Sequence, residues 1–275
     1  MRCGGEEKGL GPKDARGQRP GTAAIVGHIA EMFCSIQGEG LCVGERQVFL
    51  RMAGCELECS WCDTPASKTR RSEWRIHDGP TPRSRTNPVT VREAVEETLS
   101  LLHKHAPVRT VSITGGEPLE QSEFVAEVAR LLKHEHVRIY LETSGVEVDG
   151  LRRVRPYADV VAMDIKLPSA TGTDRWTAHR EFLKWLVGKN AFVKIVVDAT
   201  TPLDEIVHAV HLIAEIDRSF PLVLQPESGA FLKNAKQSDT RATVMRLLNE
   251  GQRIALQSLK DVRIIPQLHR VLGVR

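Results

Sequence analysis

Residues 47–64 read Q-V-F-L-R-M-A-G-C-E-L-E-C-S-W-C-D-T. The run from Gln47 to Ala53 carries Val48, Phe49, Leu50 and Met52, and suits a strand buried on both faces. Gly54 then permits a tight loop, and Cys55, Cys59 and Cys62 follow in the spacing C-x-x-x-C-x-x-C. Thiolates this close together can converge on one metal centre. Soft sulfur ligands select iron–sulfur clusters, zinc or copper(I) over hard cations. A 4Fe–4S cube held by three cysteines leaves one iron open, which lets it bind a substrate or cofactor. A structural zinc site takes four ligands, often as two C-x-x-C pairs. No second pair exists here, and the nearest fourth ligand, His77, lies in a stretch that reads as loop. A redox dithiol at Cys59 and Cys62 would leave Cys55 unexplained. Cys3, Cys34 and Cys42 read as ordinary small residues.

Outward from this stretch, apolar runs alternate with amphipathic ones. Strands are predicted at TVSIT (110–114), VRIYLE (137–142), DVVAMDI (159–165), FVKIVV (192–197), PLVLQ (221–225) and VRIIP (262–266). Between them, Thr90 and Glu93 form a capping box ahead of Val91, Ala94 and Val95. Ser122 opens a second helical pattern. Thr201 and Pro202 fit the N-cap and first turn of a third. Ser238 caps a fourth that is expected to stop at Gly251. This alternation predicts an α/β fold with parallel strands and right-handed crossovers, either doubly wound or a partial barrel. In both, chemistry collects at the C-terminal strand ends.

The chain has 275 residues, of which 41% are hydrophobic and 27% charged, with a net charge of +3. This is an ordinary soluble composition, and the charge is too small to argue for nucleic acid or a membrane surface. No apolar run approaches the ~18 residues of a membrane span, and residues 1–24 lack the apolar core of a secretory signal. A cytoplasmic location is expected, where cysteines serve as thiols or metal ligands. Residues 1–24 read as a disordered tail, residues 25–275 as one catalytic domain, and 66–88 within it as a flexible basic loop. The arginines of that loop read as a solvated face, since neither helical spacing nor interleaved aromatics support a phosphate patch.

The strand ends carry polar motifs. T-G-G-E-P-L (114–119) follows the second strand, and its paired glycines allow backbone to approach a ligand that a Cβ would block. E-T-S-G (142–145), D-I-K-L-P-S (164–169) and Q-P-E-S (225–228) end later strands, although turn chemistry alone also favours Ser, Gly and Pro there.

The cysteine spacing after a strand resembles the signature of the radical S-adenosylmethionine superfamily, and T-G-G-E-P resembles its Gly-Gly-Glu-Pro motif. Upstream, E-M-F-C-S-I-Q-G-E-G (31–40), with R-M-A-G-C and W-C-D-T, resembles the 7-carboxy-7-deazaguanine synthase family. That resemblance runs from about Ile29 to the terminal I-I-P-Q-L-H-R-V-L-G, and omits 66–88. It implies a partial (β/α)6-type barrel and a carbon–nitrogen lyase of queuosine and deazapurine biosynthesis. The implied reaction converts 6-carboxy-5,6,7,8-tetrahydropterin into 7-carboxy-7-deazaguanine and ammonia. A glycyl-radical activase and a zinc-stabilised binding module are the alternatives.

The resemblance also implies roles. Cys55, Cys59 and Cys62 would hold the 4Fe–4S cluster, and Thr64 would ligate Mg²⁺. S-adenosylmethionine would meet Trp61, Cys62 and Asp63, then Gly115, Gly116, Glu117 and Ser144. Its remaining contacts would be Asp164, Ile165, Lys166, Gln225, Pro226, Glu227 and Ser228. The pterin would meet Ile36, Gln37, Gly38, Glu39, Arg51, Thr114, His269 and Arg275. Glu39 or the Gln37 amide can accept from the aminopyrimidinone edge, and Arg51 can fork onto the substrate carboxylate. A homodimer and a flavodoxin or ferredoxin-type reductant are expected as partners.

Overall fold

The structure, a computed structural model, describes residues 24–229 and 238–275. The expected tail therefore lies, but for residue 24, outside the described residues, as does Cys3. In chain order, β1 (Val26–Gly27) and β2 (Ile29–Ile36) lead to β3 (Arg46–Met52). Next come β4 (Glu73–His77), β5 (Arg83–Thr86) and β6 (Val89–Thr90). Helix α1 (Val91–Lys104) then opens a regular alternation with β7 (Thr110–Thr114), α2 (Ser122–His134), β8 (Arg138–Thr143) and α3 (Val148–Val154). It continues through β9 (Val160–Asp164), α4 (Pro168–Thr171), α5 (Trp176–Leu186), β10 (Ala191–Val197) and α6 (Leu203–Ile216). The last elements are β11 (Leu222–Pro226), α7 (Ser238–Ala255), β12 (Val262–Ile264) and α8 (Leu268–Leu272).

Ten of the described strands form one sheet, in the order β12-β11-β10-β9-β8-β7-β3-β2-β4-β5. From β3 to β12 every neighbouring pair is parallel. Strands β7 and β9 are buried along their whole length. β9 is apolar up to Asp164, whereas β7 alternates and buries Thr110, Ser112 and Thr114, the last two donating to the Glu142 carboxylate. The parallel half is the strand–helix array of a partial (β/α)6-type barrel, left open at β12. The predicted capping box forms on α1: Glu93 N donates to Thr90 Oγ1 at 3.3 Å and Thr90 N donates to Glu93 Oε2 at 2.9 Å.

Several expectations are corrected. Residues 66–88 do not form a structureless loop. β4 pairs parallel to β2 and antiparallel to β5, extending the sheet past β3. The cause is the alternation E-W-R-I-H: Trp74 and Ile76 point into the core while Glu73 and Arg75 face out. Helix α7 passes through Gly251, which packs against Ile206, and ends at Ala255. Pro202, not Thr201, caps α6, and Thr201 Oγ1 instead donates to Asp198 Oδ1 at 3.0 Å. β2 went unread because it mixes Glu31, Cys34 and Ser35 with apolar residues, as a strand with one wetter face does. Among the described residues no helix is long and apolar enough to cross a membrane.

Candidate active site

The C-terminal ends of the parallel strands open into a cavity of about 720 Å³, within the range of small-molecule and cofactor sites. Cys55, Cys59 and Cys62 all line it as free, half-buried thiols. Their loop is pinned from two sides. Gly54 N donates to Ser67 O at 2.8 Å and Cys55 N to Lys68 O at 3.2 Å, while Glu117 N donates to Gly54 O at 2.8 Å. That last bond sets the glycine pair directly on the cysteine loop. Both Gly115 and Gly116 have positive φ; a Cβ on Gly116 would sit 2.3 Å from Gly54 O, and one on Gly115 2.0 Å from Arg51 Cγ. No other residue fits either position. Burial pushes the Cys55 thiol up to about 11 and raises Cys59 as well. The protein's own field therefore favours thiols, and a metal centre would have to displace their protons.

Glu117 ties this motif to the next strand end. Its carboxylate accepts from Thr143 Oγ1 and Ser144 N at 2.7 Å each, and from Leu119 N at 3.0 Å. On β9 and β10, Asp164 and Lys194 are register partners, 3.2 Å apart between Oδ2 and Nζ. Lys166 Nζ also donates to Asp164 Oδ2 at 2.8 Å and lies 4.5 Å from the Trp61 ring centroid. Among the described residues four buried side-chain atoms lack a hydrogen-bond partner, and three of them belong to this cavity: Ser144 Oγ, Asp164 Oδ1 and Gln225 Oε1. Buried polar atoms are rarely left unpaired, so these three fit a polar ligand. The three thiols, the glycine cradle and this orphan set together fit a cluster and S-adenosylmethionine.

The opposite side of the cavity is built from the Q-G-E-G turn and the C-terminal segment. Leu268 N donates to Gly38 O at 2.8 Å, and Ser35 Oγ to Arg275 O at 2.6 Å. The Gln267 amide bridges Glu39 Oε1 at 2.5 Å and Asp63 Oδ2 at 3.3 Å. Glu39 is ion-paired with Lys194. Burial works against its ionised form, yet Lys194 and Gln267 hold its carboxyl at about 2, so it only accepts hydrogen bonds. Burial lowers the pKa of His269, so neutral imidazole is favoured beside it. Glu39, Asp63 and His269 present ligand atoms within 4.8 Å of one another. Part of that space is already taken by Lys194 and Gln267, leaving an acceptor-rich wall suited to N–H donors. The Gln37 amide is engaged elsewhere: its Nε2 donates to Glu142 Oε1 at 2.8 Å and its Oε1 accepts from Glu39 N at 3.0 Å. Glu39 is thus the freer acceptor. Thr64 heads the 3-10 turn Pro65–Ser67 without any side-chain cap bond.

All the site residues expected from sequence line the cavity except Ile165 and Pro226. Both are buried at strand ends, where alternate side chains point away from the site. Sequence reading missed Lys194, Gln267 and Arg270. Lys194 had one visible signal, a lone cation within an apolar strand. Arg270 Nη2 donates to Asp63 O at 3.2 Å and closes the wall beside Gln267.

The chain is similar to known proteins. Residues 49–213 match the Radical SAM superfamily. A 7-carboxy-7-deazaguanine synthase from Geobacter sulfurreducens is 40% identical over 250 residues, covering 89% of this chain and 96% of that protein. One from Methanothermobacter thermautotrophicus is 34% identical over 267 residues, covering 90% and 97%. The crystal structure of QueE from Escherichia coli superposes with a TM-score of 0.56 at 21% identity, over 89% of this chain and 95% of that one, and so shares the fold. The chain belongs to the radical S-adenosylmethionine superfamily and, within it, to the 7-carboxy-7-deazaguanine synthase family.

Proposed function

We propose that this protein converts 6-carboxy-5,6,7,8-tetrahydropterin into 7-carboxy-7-deazaguanine and ammonia. One observation carries the reading: the cysteine triad and the Glu39–His269 wall face the same cavity, within a chain of this family. When bound, the cluster and S-adenosylmethionine supply the radical that abstracts hydrogen and starts the ring contraction. The chain's own residues bind and orient. Cys55, Cys59 and Cys62 would hold the cluster. Gly115, Gly116, Glu117, Ser144, Asp164, Lys166, Gln225 and Ser228 would hold the cofactor around the orphaned acceptors. Glu39, fixed as a carboxylate, would accept from the pterin's amino and ring N–H groups, and Arg51 would take its carboxylate. Thr64 would supply one oxygen to Mg²⁺, the rest coming from substrate and water. We further propose a cytoplasmic homodimer served by a flavodoxin or ferredoxin-type reductant.

Substrate and product differ by one ammonia, so the conversion is redox-neutral and need not consume the cofactor. Incubated anaerobically with the pterin, reductant, S-adenosylmethionine and Mg²⁺, the protein should release the deazaguanine and ammonia, with product exceeding the cofactor cleaved. Cofactor cleavage by the reduced protein with the pterin left intact would discard the substrate and keep the radical enzyme.

A further inference from the structure

Lys194 is a nearly buried charge that this reading leaves without a role. It rises from the middle of β10, and its ammonium touches Glu39 of the Q-G-E-G turn and Asp164 of the β9 end. All three side chains are nearly buried. Lys166 reaches Asp164 as well, but among the described residues it pairs with Asp164 and the Trp61 ring and not with Glu39. Among the described residues Lys194 is therefore the one cation that bridges the wall assigned to the pterin and the strand end assigned to the cofactor.

Resting on that assignment, we propose that Lys194 is a positioning residue that couples the two ligand subsites, so that filling either one tightens binding at the other. Each carboxylate keeps acceptor capacity for its own ligand. Glu39 spends one lone pair per oxygen on Gln267 and Lys194, and Asp164 Oδ1 has no partner at all. Before binding, water in the open cavity screens the ammonium. A first ligand expels that water and strengthens the ion pairs Lys194 makes, which fixes the carboxylate on the far side. The second ligand then meets an ordered acceptor and bears less of the ordering cost. The charges persist through this: burial opposes the ammonium, but Glu39, Asp164 and Glu142 raise its pKa above the ordinary lysine value.

Coupling of this kind is reciprocal, which makes it measurable without turnover. The test uses protein reconstituted with its cluster and no reductant, so that no chemistry occurs. Pterin binding is titrated calorimetrically with and without saturating S-adenosylmethionine, and the cofactor with and without pterin. In the unaltered protein each ligand should tighten the other by about fivefold or more, by the same factor in both directions. Lys194→Met should keep the cluster absorbance and bring that factor to within about twofold of unity, the usual limit of independence. Lys194→Arg, which keeps a cation, should restore part of it. A factor near one in the unaltered protein, or an undiminished factor in Lys194→Met, overturns the proposal. If Lys194→Met loses its cluster, Glu39→Gln breaks the same bridge, and intact coupling there overturns it equally. Cofactor binding with no pterin binding in the unaltered protein overturns the substrate assignment, and this inference with it.

Discussion

Arg51 and Glu31 are register partners across the antiparallel pair β2–β3, joined from Nε to Oε1 at 3.0 Å. The same carboxylate takes His77 Nε2 at 3.2 Å and the guanidinium of Arg275. Arg51 and Arg275 both lie beside the Phe33 ring, at 5.6 and 5.7 Å from its centroid. Glu31 thus aims two guanidinium groups along one wall of the cavity. Arg51 spends only its Nε on this bond among the described residues, leaving its outer fork for a carboxylate.

Arg51→Ala should weaken substrate capture by about 2 kcal/mol, the usual worth of a charge-assisted bidentate contact. Arg51→Lys should recover only part of it, because an ammonium cannot reproduce the planar fork. Glu31→Gln should raise the Michaelis constant for the pterin and spare cofactor binding. Comparing kcat with KM in each variant checks the assignment, and equal loss on both ligands would contradict it.

Cys55→Ala, Cys59→Ala and Cys62→Ala should each abolish the cluster absorbance near ~400 nm and S-adenosylmethionine cleavage. Cys34→Ser and Cys42→Ser should keep both. Neither lines the cavity: Cys34 Sγ accepts from Arg46, and Cys42 packs with Tyr140 and Phe192. Activity in any triad variant, or its loss in both others, would move the cluster elsewhere.

The sequence signals that worked were local ones. TVSIT became β7 with unchanged bounds because Val111 and Ile113 alternate with small or β-branched residues that suit a strand, all five of them buried. The cysteine spacing located the loop because Cys55, Cys59 and Cys62 lie within eight residues of one another. Lys194 and Gln267 stayed hidden because their roles are made by pairing across the fold. Lys194 matters through its register with Asp164, thirty residues earlier in the chain, and Gln267 through contact with Glu39, 228 positions away. The antiparallel hairpin β4–β5 reads as loop in the sequence because its arginines dominate the composition while only Trp74 and Ile76 carry the burial.

Trp74 anchors that hairpin. It is almost fully buried in the main core, and its Nε1 donates to Thr86 O at 3.2 Å. Trp74→Ala should cost about 3–5 kcal/mol, the range for removing a large buried aromatic. Chemical denaturation checks this, and a loss below about 1 kcal/mol would mean that the hairpin is not packed as described.

Thr64→Val removes one hydroxyl and little volume. It should raise the Mg²⁺ concentration for half-maximal stimulation by about tenfold, equivalent to ~1.4 kcal/mol for one lost oxygen contact. The cluster spectrum should not change, since Thr64 is two residues beyond Cys62 but offers a ligand unsuited to iron. An unchanged Mg²⁺ response would remove Thr64 from the cation shell.

Glu39 makes a prediction about pH. Its folded-state pKa, about 2, lies below the ordinary 4.5. The stabilisation it contributes is therefore fully present above about pH 4.5 and is lost only as the pH falls toward 2. Between about pH 5 and about pH 8 no proton should enter or leave this carboxylate, and pterin binding should show no acid limb from it. Lys194→Met removes the cation that offsets the burial of Glu39, so its pKa should climb toward and past the ordinary carboxylate value. Pterin affinity in that variant should then fall as the pH drops from about 7 to about 5, where the unaltered protein stays flat. Calorimetric titration across that range, without reductant, checks it. Identical flat profiles would show that Lys194 does not hold Glu39 ionised, and an acid limb in both would place the titrating group elsewhere, with His269 the nearest candidate because it lies against Glu39 and Asp63.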